Sequence, residues 1–229
     1  MRAKPQHVVF DLDGTLADSS AGILWSFRAT LDSLGRSADE EVLRHLIGPP
    51  LGESFRLLGI EASRIDDVVA RYREFYAERG VYEAHLYDGV AQALEGLSRE
   101  GVRLAVATAK RVDFARQMLG ALGVADYFDA IEGATVDLRV TSKFDILALA
   151  MASWRRDDPA ATWMVGDRHY DMIAARAHGA GAVGVTWGFG SRVELESAGA
   201  QWLIDEPGQL LDFDQLDATS AHGGEARAT

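Results

Sequence analysis

Two aspartates one residue apart, Asp11 and Asp13, follow the apolar run Val8-Val9-Phe10 and precede Gly14 and Thr15. The apolar run reads as a short buried strand, so both carboxylates emerge at its C-terminal end, where Gly14 lets the backbone turn sharply. In open α/β sheets that end of a strand is where ligands bind. Carboxylates so placed suit phosphoryl transfer, although an isolated Asp-Leu-Asp-Gly also serves as a solvated turn that closes a strand. Further polar groups lie downstream. Thr108 follows Leu104-Ala105-Val106-Ala107, Lys143 follows Thr141-Ser142, and Asp167 and Asp171 sit in Gly166-Asp167-Arg168-His169-Tyr170-Asp171. The Thr108 hydroxyl and the Ala109 amide are of the kind that hold a phosphate oxygen; a threonine at a strand end is equally an ordinary β-branched strand residue. A lysine at a helix start reads by itself as a solvated charge. Asp167 and Asp171 share one side of a first helical turn if the helix begins near Arg168, which serves capping and metal binding equally well.

The elements that must carry these groups follow from periodicity. After the first strand the pattern turns helical: Ile23, Leu24, Phe27, Leu31 and Leu34 recur at helical spacing, with Gly35 as terminator. Further helices are expected over 39–46, 53–58 and 63–79, broken by Gly48-Pro49-Pro50, and no strand is expected in this block. Beyond Gly89 the pattern alternates: helix to Arg99, strand 103–107, helix 112–122, strand 128–132, helix 142–154, strand 162–165, helix 170–178, strand 182–185 and a short strand 202–204. Such alternation predicts an α/β fold, a Rossmann-like, mostly parallel sheet covered on both faces, with an inserted all-α unit. The expected division is a discontinuous α/β core of residues 1–15 and 83–216, a helical cap of residues 16–82 and a disordered tail of residues 217–229.

Composition narrows the partners. With 23 basic against 35 acidic residues the net charge is −12, which argues against nucleic acid or an anionic membrane surface as partner. The chain has no cysteine, so disulfides, thiolate nucleophiles and thiolate metal sites are excluded. No apolar run reaches membrane-spanning length and no signal-peptide pattern precedes the first strand, so a cytoplasmic protein is expected. A monomer or homodimer is expected.

Taken in order, DLDGT, the strand ending LAVATAK, a lone downstream Lys143 and GDRHYD resemble the four motifs of haloacid dehalogenase superfamily phosphatases, in the phosphoglycolate-phosphatase-like branch with a helical cap. The resemblance spans nearly the whole core. It implies that Asp11 is the nucleophile, forming an aspartyl-phosphate that water hydrolyses, and that Asp13 protonates the leaving oxygen and then activates the water. It implies Thr108, Ala109 and Lys143 as the phosphate-binding groups. It further implies Mg2+ held by the Asp11 carboxylate, the Asp13 carbonyl, Asp167 and Asp171, the last directly or through water, in keeping with the preference of Mg2+ for oxygen ligands. Two positions depart from the usual pattern: Ala109 stands where relatives often carry Ser or Asn, and Phe144-Asp145-Ile146 where a proline-rich run is common.

A helical block inserted after the nucleophile strand forms a lid that excludes water and sets specificity. Arg44, His45, Gly48 and Pro49 are the candidate residues facing the substrate, because loops carry function and Arg grips a second anionic group. A solvated Arg and a helix-ending proline pair are the bland alternative. The Trp187-Gly188-Phe189-Gly190 loop either lines the entrance or packs beneath the cap, and His169 reads as an exposed loop residue. Trp25, Phe27, Phe55 and Tyr72 read mostly as cap core. The expected activity is Mg2+-dependent hydrolysis of a small phosphorylated metabolite, 2-phosphoglycolate first. Nucleoside 5'-monophosphate or sugar-phosphate hydrolysis, a sugar-phosphate mutase, and a catalytically silent binding module are the alternatives.

Overall fold

The computed structural model describes residues 4–48, 50–154 and 159–212. Six parallel strands form one sheet in the order β5-β4-β1-β6-β7-β8: β1 (His7–Phe10), β4 (Arg103–Arg111), β5 (Ala130–Ala134), β6 (Thr162–Gly166), β7 (Gly181–Val185) and β8 (Trp202–Ile204). The first strand therefore lies inside the sheet, flanked by β4 and β6. Phe10 is level with Val106 on one side and Val165 on the other. Asp11, Thr108 and Asp167, one or two residues farther along their strands, consequently meet at one edge.

Side chains alternate across these strands, as the two-residue strand period requires. Val8, Phe10, Leu104, Val106 and Val165 join the hydrophobic core on one face, with helices α5 (Val90–Arg99) and α6 (Val112–Ala121). Val9, Ala105, Ala107 and Met164 join the core on the other, with α7 (Lys143–Ala152) and α8 (His169–Ala177). A short helix, α9 (Arg192–Ser197), follows β7. Covering both faces explains why the strands read as continuous apolar runs.

Between β1 and α5 the chain builds α1 (Ser20–Ser33), α2 (Glu40–Arg44), α3 (Leu51–Leu57) and α4 (Ile65–Glu78). Phe27, Phe55 and Tyr72 cluster at the centre of these helices, with ring centroids 4.9 to 6.0 Å apart. Phe27 and Phe55 have no exposed surface. Trp25 lies at the margin, edge-on to Phe75 and under the Arg79 guanidinium. The sequence reading missed one feature here. Ala17–Asp18 forms a two-residue strand, β2, antiparallel to β3 (His85–Leu86), so the chain's exit to the helical block and its return are tied side by side. A strand of two residues is too short to show a period.

Other boundaries move for local reasons. The strand expected at 128–132 starts at Ala130, because a 3-10 turn over Ala125–Tyr127 ends beside it. Helix α8 begins at His169, so His169 belongs to a helix rather than a loop. The tail expected over 217–229 lies outside the described residues. Among the described residues no helix is long and apolar enough to cross a membrane.

Candidate active site

Asp11 leaves β1 with its amide bonded to the Val165 carbonyl of β6 at 2.9 Å, which keeps the strand pairing intact up to the carboxylate. Its Oδ1 accepts the Leu12 amide at 2.7 Å and lies 2.8 Å from Lys143 Nζ. Lys143 is the first residue of α7, a helix capped by the Ser142 hydroxyl, which accepts the Asp145 amide at 3.1 Å. Its buried ammonium group donates to the Ala107 carbonyl at 3.0 Å and sits 2.9 Å from Asp171 Oδ1. Lys143 is therefore no solvated surface charge: it links β4, β1 and α8.

Asp167 follows β6 and is wholly buried. Thr15 Oγ1 donates to its Oδ1 at 3.2 Å, and the Phe189 amide donates to its Oδ2 at 2.8 Å. The Trp187–Gly190 loop thus packs onto this aspartate, with Trp187 Nε1 donating to the Thr15 carbonyl at 3.0 Å. Gly14 has φ +85°, and a Cβ there would lie 2.3 Å from Asp167 Oδ2, so the turn after the first motif tolerates only glycine. Asp171 stands in the first turn of α8, also wholly buried, its Oδ2 accepting the Arg168 amide at 3.1 Å. This is a helix cap, and the same residue also faces Lys143. Its Oδ1 has no aligned hydrogen bond, only the ion-pair approach of the lysine. Gly166 leaves the space: a Cβ there would lie 2.3 Å from the Asp171 carboxylate.

One oxygen from each of Asp11, Asp167 and Asp171 lies within 4.8 Å of the other two. Three buried carboxylates gather where one ammonium group meets two of them, and burial disfavours the charged forms of Asp11 and Asp167. Burial raises Asp11 to about 6, against the pull of Lys143 and with Asp171 adding to the rise. Burial, then Asp11 and Asp171, raise Asp167 to about 8. Uncompensated charge, an unsatisfied buried oxygen and an all-oxygen donor set fit a hard divalent cation.

Thr108 is buried at the end of the regular part of β4, its Oγ1 accepting the Lys110 amide at 3.2 Å. The strand does not stop at Ala107 as expected. It continues to Arg111, but its pairing with β5 slips: Thr108 faces Gly133 and Arg111 faces Ala134. Three residues on one strand thus oppose a single step on the other, a bulge that re-aims side chains. The bulge turns Lys110 inward, a residue the sequence reading passed over. Lys110 Nζ lies 3.0 Å from Asp13 Oδ1 and donates to the Tyr76 hydroxyl at 2.7 Å. Burial opposes its charge, but Asp13 and Tyr76 outweigh that and hold its pKa above the ordinary lysine value. Asp13 also accepts the Ser19 hydroxyl at 2.5 Å. The second carboxylate is therefore held by Ser19 between β2 and α1, by β4 and, through Tyr76, by α4.

The residues expected to face the substrate separate. Arg44 is exposed and bonded to Glu40 of its own helix, which Arg28 also engages. The exposed His45 ring shares a 2.7 Å hydrogen bond between Nδ1 and the Glu41 carbonyl. Neither is brought against the carboxylates. Pro49 lies outside the described residues. Gly48 does approach the core: a Cβ there would lie 2.5 Å from Arg168 Nη1. His169 is half-buried and tied through Nδ1 to Glu194 at 2.6 Å.

An inner strand ending at Asp11, a buried lysine and a buried acidic trio meet at the carboxyl edge of a parallel sheet, groups of the kind that suit phosphoryl transfer. Residues 8–185 match the haloacid dehalogenase-like hydrolase family, and the chain belongs to that family. It is 44% identical over 187 residues to the tyrosine-protein kinase PtkA of Mycobacterium tuberculosis, covering 81% of this chain and 64% of the kinase. It is 36% identical over 195 residues to a 5'-nucleotidase of Pseudomonas aeruginosa, covering 83% of this chain and 87% of that enzyme. Among solved structures, a haloacid dehalogenase-like hydrolase from Streptococcus pneumoniae superposes with a TM-score of 0.84 at 33% identity, over 91% of this chain and 98% of that one.

Proposed function

We propose that this phosphoric monoester hydrolase is a Mg2+-dependent phosphatase of a small phosphorylated metabolite, with 2-phosphoglycolate the first candidate. The observation that carries the reading is the buried Asp11, Asp167 and Asp171 trio, two of whose members, Asp11 and Asp171, face Lys143. Asp11, Asp167 and Asp171 would hold the cation, which when bound offsets phosphate charge and the mutual repulsion of the carboxylates. Lys143 lies against Asp11, where it neutralises charge on the incoming phosphoryl group. Asp11 attacks phosphorus, forming an O–P bond as the bond to the leaving oxygen breaks. Asp13 delivers the proton that the leaving oxygen needs and then takes one from the water that cleaves the aspartyl-phosphate, a contribution of about 10² to 10⁴ in rate. The Thr108 hydroxyl and the Ala109 amide steady the transferred group. Residues 16–82 act as the cap that shields the site.

A second reading keeps the phosphorylated Asp11 and passes the group to a tyrosine hydroxyl instead of water; the identity to the kinase favours it. One experiment separates the two. Phosphate release from 2-phosphoglycolate, nucleoside monophosphates, sugar phosphates and pyrophosphate is measured with and without Mg2+, for wild type and Asp11→Asn, beside label transfer from ATP to tyrosine. Metal-dependent release abolished by Asp11→Asn supports the phosphatase. Label transfer to tyrosine without phosphate release selects the second reading, and neither activity rejects both.

A further inference from the structure

The cationic side chain that meets the Gly48 turn comes from the core. Arg168 directly follows Asp167 and caps α8. Its Nε donates to Glu194 Oε1 at 2.9 Å. The same oxygen accepts the His169 amide at 3.0 Å and faces His169 Nδ1 at 2.6 Å, so the acceptor is itself fixed from three directions. Glu194 belongs to α9, and its amide donates to Ser191 Oγ at 3.1 Å. A carboxylate with so many donors stays ionised, its pKa lowered to about 2. The arginine stem runs past Gly190, where a Cβ would lie 3.3 Å from Cδ. The far end reaches Gly48, whose φ of +112° and missing side chain leave room for Nη1. Among the described residues Nη1 and Nη2 have no acceptor, whereas Nε is used.

This places a guanidinium with its stem clamped and its outer fork unspent beside the metal-side aspartate and against the helical block. Asp11 and Lys143 pair at the carboxyl edge of the sheet, while the outer fork of Arg168, the residue next to Asp167, reaches the Gly48 turn of the helical block. A planar fork in that position suits bidentate recognition of a carboxylate or phosphate. We propose that Arg168, positioned by Glu194, is a specificity-determining residue that binds a second acidic group on the substrate's leaving portion. The proposal rests on the phosphatase reading and narrows it to substrates whose leaving group itself bears a carboxylate or a phosphate.

The test compares kcat/KM for 2-phosphoglycolate and pyrophosphate with that for p-nitrophenyl phosphate, whose leaving group carries no second acid, in wild type, Arg168→Gln, Arg168→Lys and Glu194→Gln. The ratio of acidic to non-acidic substrate is expected to fall at least about tenfold in Arg168→Gln, the worth of one charge-assisted hydrogen bond, and chiefly through KM. Arg168→Lys, which keeps charge without the fork, should fall between, and Glu194→Gln should lower the ratio by loosening the arginine. A fall confined to 2-phosphoglycolate identifies a carboxylate site, and one confined to pyrophosphate a phosphate site. Ratios unchanged in all three variants overturn the assignment while leaving phosphatase activity in place. Release of phosphate from none of the compounds by wild type would take down the phosphatase reading and this proposal with it.

Discussion

Removing the metal should change the pH dependence of stability in a direction set by the acidic trio. Without a cation, Asp167 titrates at about 8 and Asp11 at about 6, against an ordinary value of 3.8 for each in the unfolded chain. Between those limits the folded state binds more protons than the unfolded one, so metal-free stability falls as pH rises from about 4 toward about 8. A Mg2+ ion held by the trio would take the deprotonated carboxylates and have to displace those protons. Going from pH 8 to pH 6, Asp167 contributes about fifty-fold and Asp11 about two-fold, so the apparent affinity weakens by about a hundredfold. At a Mg2+ concentration roughly 100 times its dissociation constant at pH 8, linkage then adds about 2.7 kcal/mol there and about 0.4 kcal/mol at pH 6. For a chain of this length about 1 kcal/mol moves Tm by about 2–4 °C, which gives about 5–11 °C at pH 8 and about 1–2 °C at pH 6. Differential scanning fluorimetry in EDTA and in Mg2+ at the two pH values reads this directly. Equal Mg2+ shifts at both pH values, or the same shift in Asp167→Asn, would refute the placement of the metal on protonatable, buried carboxylates.

Two kinetic outcomes follow from the same geometry. Asp13→Asn should be about 10² to 10⁴ slower and accumulate phosphoenzyme, because loss of the water-activating base leaves Asp11 able to attack; acid-quenched labelling that finds no trapped phosphate would reject the division of labour. Lys110→Met should lower kcat by about 10²-fold with little change in KM, because Asp13 loses the ion pair that positions it, and Tyr76→Phe should do the same more mildly; a change confined to KM would show that Lys110 holds substrate instead.

How far the site could be read in advance depended on whether its parts were coded locally. Asp11, Thr108 and Asp167 sit at the ends of apolar strands, and a strand ending at a polar residue is visible in sequence, so their convergence needed only the strand order that places β1 between β4 and β6. Asp171 was visible by its spacing from Asp167. The helical block was visible as an interruption of the alternating pattern, yet the direction of its charged side chains was not: Arg44 is on the exposed side of α2, bound to Glu40, because a five-residue helix buries only Leu43 and turns its charges outward. Arg168 and Glu194 are 26 residues apart with β7 between them, so their pairing had no local trace.

Lys110 is the instructive miss, because it did leave a trace. A lysine three residues past a strand's apolar run normally points to solvent, and the bulge between Thr108 and Arg111 turns this one toward Asp13. The bulge needs the neighbouring backbone to come close, and it does so at Gly133, where a Cβ would lie 2.5 Å from the Lys110 carbonyl. A glycine inside a strand pattern weakens the strand unless another backbone approaches there. Gly133 in the run Ile131-Glu132-Gly133-Ala134 therefore marks the edge of β4 that had to be irregular, and with it the lysine that the irregularity delivers to the site.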